Sequence, residues 1–226
     1  MAYKKTFVCF ANSVKTGGRC IAGKELTQAG PGPWLRPIST RATAELALYE
    51  FVLPGHSVPQ LLDVIEVGLS GTKPHDHQTE NQVIDGTSWR KTGTLPYAQL
   101  AGMVDKKPSV WGEGEETFGG VNDCISPELA KQYDHSLLLI KPADLVIHVG
   151  VEGQLYKKRV VRAHFSYGRI QYALKVTDPV ADAAYQKKEN GLYPSDAYLC
   201  VSLTEPYEKD KRCHKLAAAI ITDKAF

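Results

Sequence analysis

Two stretches of the chain concentrate side chains suited to holding an anion or reading a flat polar ligand. The first is ANSVKTGGRC, followed closely by AGKEL and PWLRPIS. Gly17 and Gly18 suit a tight hairpin whose backbone amides can approach a phosphate, and Asn12, Lys15, Arg19, Lys24 and Arg36 supply donors around it. Trp34 adds an apolar plane on which a base can stack. The Gly23-Lys24 pair is not a Walker loop, because the upstream glycine is missing and Glu25 replaces the required Ser/Thr. A connecting hairpin with a buried tryptophan accounts for the same residues, and the composition alone leaves both readings open.

The second stretch is PHDHQTENQVID. His75 and His77 lie two apart, with Glu80 close by, so a metal site can be drawn; no third His or Cys follows, and a polar loop entering a strand explains the stretch more simply. His77, Gln78, Glu80 and Asn81 then either lock the loop or read a base edge. No metal or other cofactor is expected. Nucleophilic catalysis has little support: there is no GxSxG elbow and no local Cys/His signature, so a non-catalytic role is favoured. Glu113, Glu115 and Glu116 fall in a Gly-rich run that reads as a solvated acidic loop, and Asp178 before Pro179 reads as the cap of a strand end or a turn.

The five cysteines show no CxxC pair and no repeated spacing, which points to reduced thiols rather than a disulfide framework. No apolar run is long enough for a membrane span, and no signal peptide is evident, so a cytoplasmic protein is expected. The net charge of +2 is unevenly placed, at +6 over residues 1–41, −8 over 42–134 and +4 over 135–226. Such segregation either steers an anionic partner or is neutralised within the fold.

The elements that must position these groups are mostly strands. Short alternating or continuous apolar runs between turn residues predict strands at 6–13, 19–26, 34–38, 62–69 and 83–85, and again at 136–140, 145–151, 158–167, 170–177, 198–203 and 216–222. Helices are expected only at 43–50, 97–103 and 127–133, the last with Ser126 as N-cap and Pro127 at the first position. The stretch 105–123, which includes GEGEETFGG, reads as a long surface loop at the boundary between domains 1–125 and 126–226.

The clearest local signal is YGR at 167–169, a hairpin turn between two alternating strands, for which glycine in the first position suggests type II′. It pairs Tyr167 with Ile170 and places Phe165, Tyr172, Ala163, Leu174, Val161 and Val176 on one apolar face. The opposite face carries Arg162, His164, Ser166, Gln171 and Lys175. Arg162 then stands across from Lys175, an opposition of like charges that either water or a bound phosphate would relieve.

In combination NSxKxGGRCxAGKEL, WLRPIS, LLDVIEV, HQTEN, YALKVTDP and the final VSLTEPY with KLAAAII resemble the dual OB-containing family of bacterial proteins, from Phe7 to Ile221. The resemblance implies a mainly β chain with minor α content, folded as two OB-like barrels in tandem. It also implies a setting near mobile-element and conflict genes, and so a link to phage defence. Carried over by block, the candidate ligand-binding residues are Asn12, Ser13, Lys15, Gly18, Arg19, Lys24, Trp34, Arg36, His77, Gln78 and Asn81, to which the second hairpin adds Arg162 and Lys175. Val14, which interrupts the polar run, and the basic tail KDKRCHKL depart from the family's pattern. The leading expectation is a module that binds single-stranded nucleic acid. The alternatives are a nucleotide or modified-base sensor or enzyme built on Gly17-Gly18-Arg19 and the His77–Asn81 loop, and a subunit that binds a protein encoded by a neighbouring gene. The oligomeric state stays open.

Overall fold

The computed structural model describes residues 2–15, 17–153, 156–224 and 226, with the Lys15 side chain outside the description. The chain forms two compact units, Met1–Met103 and Val104–Phe226.

In the first unit, strands β1 (Tyr3–Lys15), β2 (Gly18–Thr27), β3 (Gly30–Ile38), β4 (Asp63–Thr72) and β5 (Asn81–Ile84) follow the order β1-β2-β3-β5-β4, and β4 pairs back onto β1. The ring is therefore closed, with β3 and β5 parallel and the other pairs antiparallel. β1 can serve both neighbours because it is long and bulged: Tyr3 to Val8 pair with β4, Phe7 to Lys15 pair with β2, and the register shifts between Cys9 and Ala11. Phe7, Ile21, Leu35, Ile65 and Val67 fill the interior, closed at one side by Trp89, whose ring meets Phe7 edge-on at 6.1 Å. A further strand, β6 (Arg90–Thr94), lies on β4 and is exposed at every position, so its polar sequence carries no strand signal. A 3-10 turn over Tyr97–Met103 ends the unit.

The helix expected at 43–50 shrinks to α1, Leu48–Phe51. Ala44 takes a φ of 61°, and Leu46 instead exchanges both backbone hydrogen bonds with Arg19, at 2.8 and 3.0 Å. Tertiary pairing overrides the local helical preference here.

The second unit contains β7 (Cys124–Ile125), α2 (Pro127–Ala130), β8 (Leu137–Ile140), β9 (Val146–Glu152), β10 (Lys158–Tyr167), β11 (Ile170–Val176), α3 (Pro179–Gln186), β12 (Gly191–Pro194), β13 (Tyr198–Pro206) and β14 (Cys213–Ile221). Its sheet runs β12-β9-β10-β11-β14-β13-β8, with β11 and β14 parallel. This is the order of the first unit, with the opening strand split: β8 pairs β13 as the first half of β1 pairs β4, and β9 pairs β10 as the second half pairs β2. The split falls at Lys141-Pro142-Ala143-Asp144-Leu145, where proline can supply no ladder N–H. α3 sits between the third and fourth barrel strands, with Pro179 in its first turn and the Asp178 carboxylate accepting from Val180 N at 2.9 Å and Ala181 N at 3.1 Å. Asp178 thus caps a helix, where a strand end or a turn is expected from the sequence.

The hairpin register agrees with expectation: Tyr167 faces Ile170, Phe165 faces Tyr172 and Arg162 faces Lys175. The turn differs. Gly168 and Arg169 have φ of 60° and 69°, and two successive positive values belong to type I′ rather than II′.

Segment 104–125 is the main correction to the expected organisation. It is neither a solvated loop nor part of the first domain. Val110 and Trp111 are fully buried in the second core. Val110 N donates to the Tyr172 hydroxyl at 3.2 Å, and Trp111 Nε1 donates to His135 O at 3.1 Å. Glu115 bridges Cys124, Val121 bridges Ala173, and β7 pairs with β14. The boundary between compact units consequently lies at 103/104 rather than at 125/126. Two large apolar side chains in a stretch otherwise rich in Gly, Glu and Lys are enough to anchor it.

Candidate functional site

The sequence-derived residues of the first barrel separate into two groups. In the first, Asn12 and Ser13 sit on β1 opposite Ile21 and Cys20. Asn12 Nδ2 donates to Pro59 O at 2.8 Å, while Ser13 is buried. Lys15 pairs through its backbone with Gly18, but its side chain lies outside the described residues. Gly18 lies against residues 45–46, where an added Cβ would sit 2.5 Å from Leu46 O. Arg19 is held by its backbone to Leu46. Gly18 therefore serves close packing of the hairpin on the 45–46 segment, and Gly17 supplies the turn's φ of 82°.

The second group is a buried polar knot where β3 runs beside β5. Arg36, 5% exposed, pairs with Glu80 at 3.0 Å and donates to Asn81 Oδ1 at 3.3 Å. Asn81 Nδ2 in turn donates to Gln78 Oε1 at 3.4 Å, and His75 and Gln78 exchange backbone bonds across the turn. His77, Gln78 and Asn81 are all buried. Lys24 is likewise buried, with Nζ donating to Met103 O at 2.7 Å and lying 5.5 Å from the Trp34 ring centre. Trp34 is half-buried, edge-on to Phe10 at 6.0 Å. The HQTEN block locks a loop onto Arg36, and the Lys24 and Arg36 side chains are engaged within the unit. Among the described residues no His, Cys, Asp and Glu side chains gather as a metal site, and no helix is long and apolar enough to cross a membrane.

The second barrel presents a different surface on the outward side of β9, β10 and β11. Alternation places Lys158, Arg162, His164 and Ser166 of β10 on it, together with Gln171, Ala173 and Lys175 of β11 and Val146 and His148 of β9. Segment 117–123 crosses its middle and ties down Arg162. The guanidinium donates to Glu152 at 2.6 and 3.0 Å, to Asp123 at 3.2 Å, and to the carbonyls of Ala173 and Phe118 at 3.1 and 3.2 Å. Two carboxylates, rather than a phosphate, relieve its opposition to Lys175. With Arg162 only 5% exposed, the expectation of an open cationic grip at that residue is corrected. Removing one partner from so buried an arrangement typically costs about 3–5 kcal/mol, which marks Arg162 as structural.

On either side of this crossing the surface stays open. At one end lie Lys158 and Lys175, both exposed and without an ion pair among the described residues. The Lys175 ammonium is held below the usual lysine range, first by desolvation and then by Lys158 and Arg162, although the residue as a whole remains open to solvent. Tyr156, in the connection from β9 to β10, is 90% exposed beside Lys157. At the other end is a cleft of about 230 Å³ lined by residues that include Val121, Asp144, Val146, His164, Ser166 and Gln171. His164 Nε2 is buried there with no hydrogen-bond partner, and the ring meets His148 edge-on at 5.3 Å. Desolvation, then His148 and Arg162, pushes the His164 pKa down, so its imidazole is neutral at pH 7. Asp144 is held ionised by the Ser166 hydroxyl and amide, the latter donating at 2.8 Å.

Lys158 and His164 share the parity of Arg162 and were legible from the hairpin alone. Tyr156 and Asp144 lie in connections with no pattern of their own, and sequence reasoning missed them. Comparison with known proteins returns no match among curated proteins and none among solved structures. The profile of the dual OB-containing domain, in contrast, matches residues 5–220. Two barrels of one strand order, each with its third strand parallel to its fifth, are what that description requires. The chain belongs to the dual OB-containing domain family.

Proposed function

We propose that the chain is a non-catalytic module that binds single-stranded nucleic acid on the β9-β10-β11 surface of its second barrel. In OB barrels generally, oligonucleotides lie on the face of the second and third strands and against the loop joining the first two strands. β10, β11 and the connection bearing Tyr156 occupy those positions here. The observation that carries the reading is the pair of exposed lysines, Lys158 and Lys175, neither in an ion pair among the described residues, beside an almost fully exposed aromatic ring. A lysine whose ammonium is disfavoured by desolvation and then by neighbouring cations favours a phosphate beside it, and an exposed tyrosine gives a base a plane to stack on.

The test is titration of a fluorescent single-stranded oligonucleotide over a range of salt concentrations. Affinity is expected to fall linearly in log–log form, and Lys158→Ala with Lys175→Ala should flatten the slope by about 1.4, at about 0.7 for each phosphate left unneutralised. Tyr156→Ala should weaken binding by about 1–3 kcal/mol with little change in slope. Absence of binding at low ionic strength, or binding indifferent to salt, would overturn the proposal.

A further inference from the structure

The cleft at the far end of the same surface has a chemistry unlike that of the lysines. Its ionised group is a carboxylate, Asp144, which repels phosphate and accepts hydrogen bonds without donating any. His164 lines it, with Nε2 buried just beneath the surface and unsatisfied, a state that native structures rarely tolerate without a reason. Ser166 and Gln171 add groups that both donate and accept, and Val121 and Val146 supply apolar wall. The volume, about 230 Å³, falls below the roughly 300–1,000 Å³ of sites for drug-sized ligands, which limits the occupant to a single small ring system. A neutral heterocycle that donates N–H to a carboxylate and hydrogen-bonds an imidazole meets these conditions.

We infer that this cleft receives one nucleobase carrying an exocyclic amino group, turned out of a strand whose phosphates lie toward Lys175 and Lys158. The inference rests on the nucleic-acid reading above and adds base selectivity to it. Geometry permits both contacts at once: Gln171 and Lys175 are four residues apart on β11, about 13 Å, which is about four phosphates at duplex spacing and fewer in a stretched strand. An amino base satisfies Asp144 through its N–H₂, whereas thymine and uracil offer only an N3–H flanked by two carbonyl oxygens that the same carboxylate repels.

The experiment compares ten-residue oligo-dC and oligo-dT at one salt concentration. It also follows the His164 imidazole signals by NMR on addition of free cytidine or thymidine. Oligo-dC is expected to bind at least fivefold more tightly, with cytidine alone moving the His164 signals. Asp144→Asn, at an exposed residue that keeps an oxygen for the Ser166 amide, should abolish the preference without changing the salt slope. His164→Ala should reduce oligo-dC affinity about fivefold, with thermal melting confirming that it folds. Equal affinity for the two oligonucleotides, or a preference that survives Asp144→Asn, would refute the inference while leaving the salt-dependent reading intact. If neither oligonucleotide binds, that reading falls, and cytidine decides the cleft separately: movement of the His164 signals supports it and their constancy overturns it.

Discussion

At the scale of single residues, the second barrel buries several ionisable groups, among them Arg162, Asp178 and Lys215. Lys215 is 1% exposed, donating to Gly112 O at 2.8 Å with its ammonium 5.2 Å from the Tyr172 ring centre. Burial pushes its pKa down to about 8. Since the unfolded chain keeps the ordinary value near 10.5, unfolding takes up protons between the two values, and stability contributed by this group rises with pH across that window. Below pH 8 both states are protonated and the cost of burying the charge is fully present. Lys215→Met is therefore expected to be at least as stable as the parent at pH 7, with the gap narrowing by about 1–2 kcal/mol by pH 9.5 in urea melts. A gap that stays constant or widens would contradict this account. Gly112 O still accepts from the Tyr172 hydroxyl at 3.2 Å in the variant, so the 104–125 segment keeps that tie.

At the scale of elements, the β10-β11 hairpin shows both what the sequence discloses and what it withholds. Strict alternation on either side of Tyr167-Gly168-Arg169 fixes the register, because a slip of one residue would turn Phe165 and Tyr172 out of the core. The partners of Arg162 were not legible, since Asp123 comes from a segment that reaches it only through the completed barrel, and Glu152 lies on β9, whose register against β10 no tight-turn signal fixes. The α3 helix was legible in part: Asp178 and Pro179 form a cap and first turn, yet the same dipeptide also begins turns, and only the docked helix distinguishes the two. Gly168 carries a demand invisible in sequence. An added Cβ would stand 1.7 Å from Pro108 O, and its φ of 60° already disfavours a side chain. Gly168→Ala should destabilise the protein by about 2–4 kcal/mol and release the segment beneath it. Hydrogen exchange reads this directly, as reduced protection at the Val110 amide; an unchanged protection factor would show that the turn and the segment are independent.

At the scale of the whole molecule, both barrels share one strand order but differ in what completes them. The first closes through a single bulged strand, whereas the second needs segment 104–125 to supply Trp111 to its core and Asp123 to Arg162. A fragment of residues 104–226 is accordingly expected to unfold cooperatively with native-like circular dichroism. A fragment of 126–226 should be unfolded or aggregate, because it exposes an apolar socket and strips a buried cation of one carboxylate. Equal cooperativity in the two would disprove the role given to the segment. Two sets of strands were readable in the chain's apolar rhythm and the paired barrels in its family resemblance, but the boundary was not, because composition reports average polarity and the segment is anchored by a few individual side chains.

β11 and β14 pair directly through Lys175 and Val176 with Leu216 and Ala217, and beyond that point residues 121–125 slip between them. Ala173 N thereby reaches Val121 O, and Cys213 and His214 face Ile125 and Cys124. The parting of two parallel strands, a natural template for a foreign strand, is sealed from within by the chain's own backbone. Along that seam a crowded solution offers a neighbouring copy nothing to zip onto, and fibre growth has no starting rail.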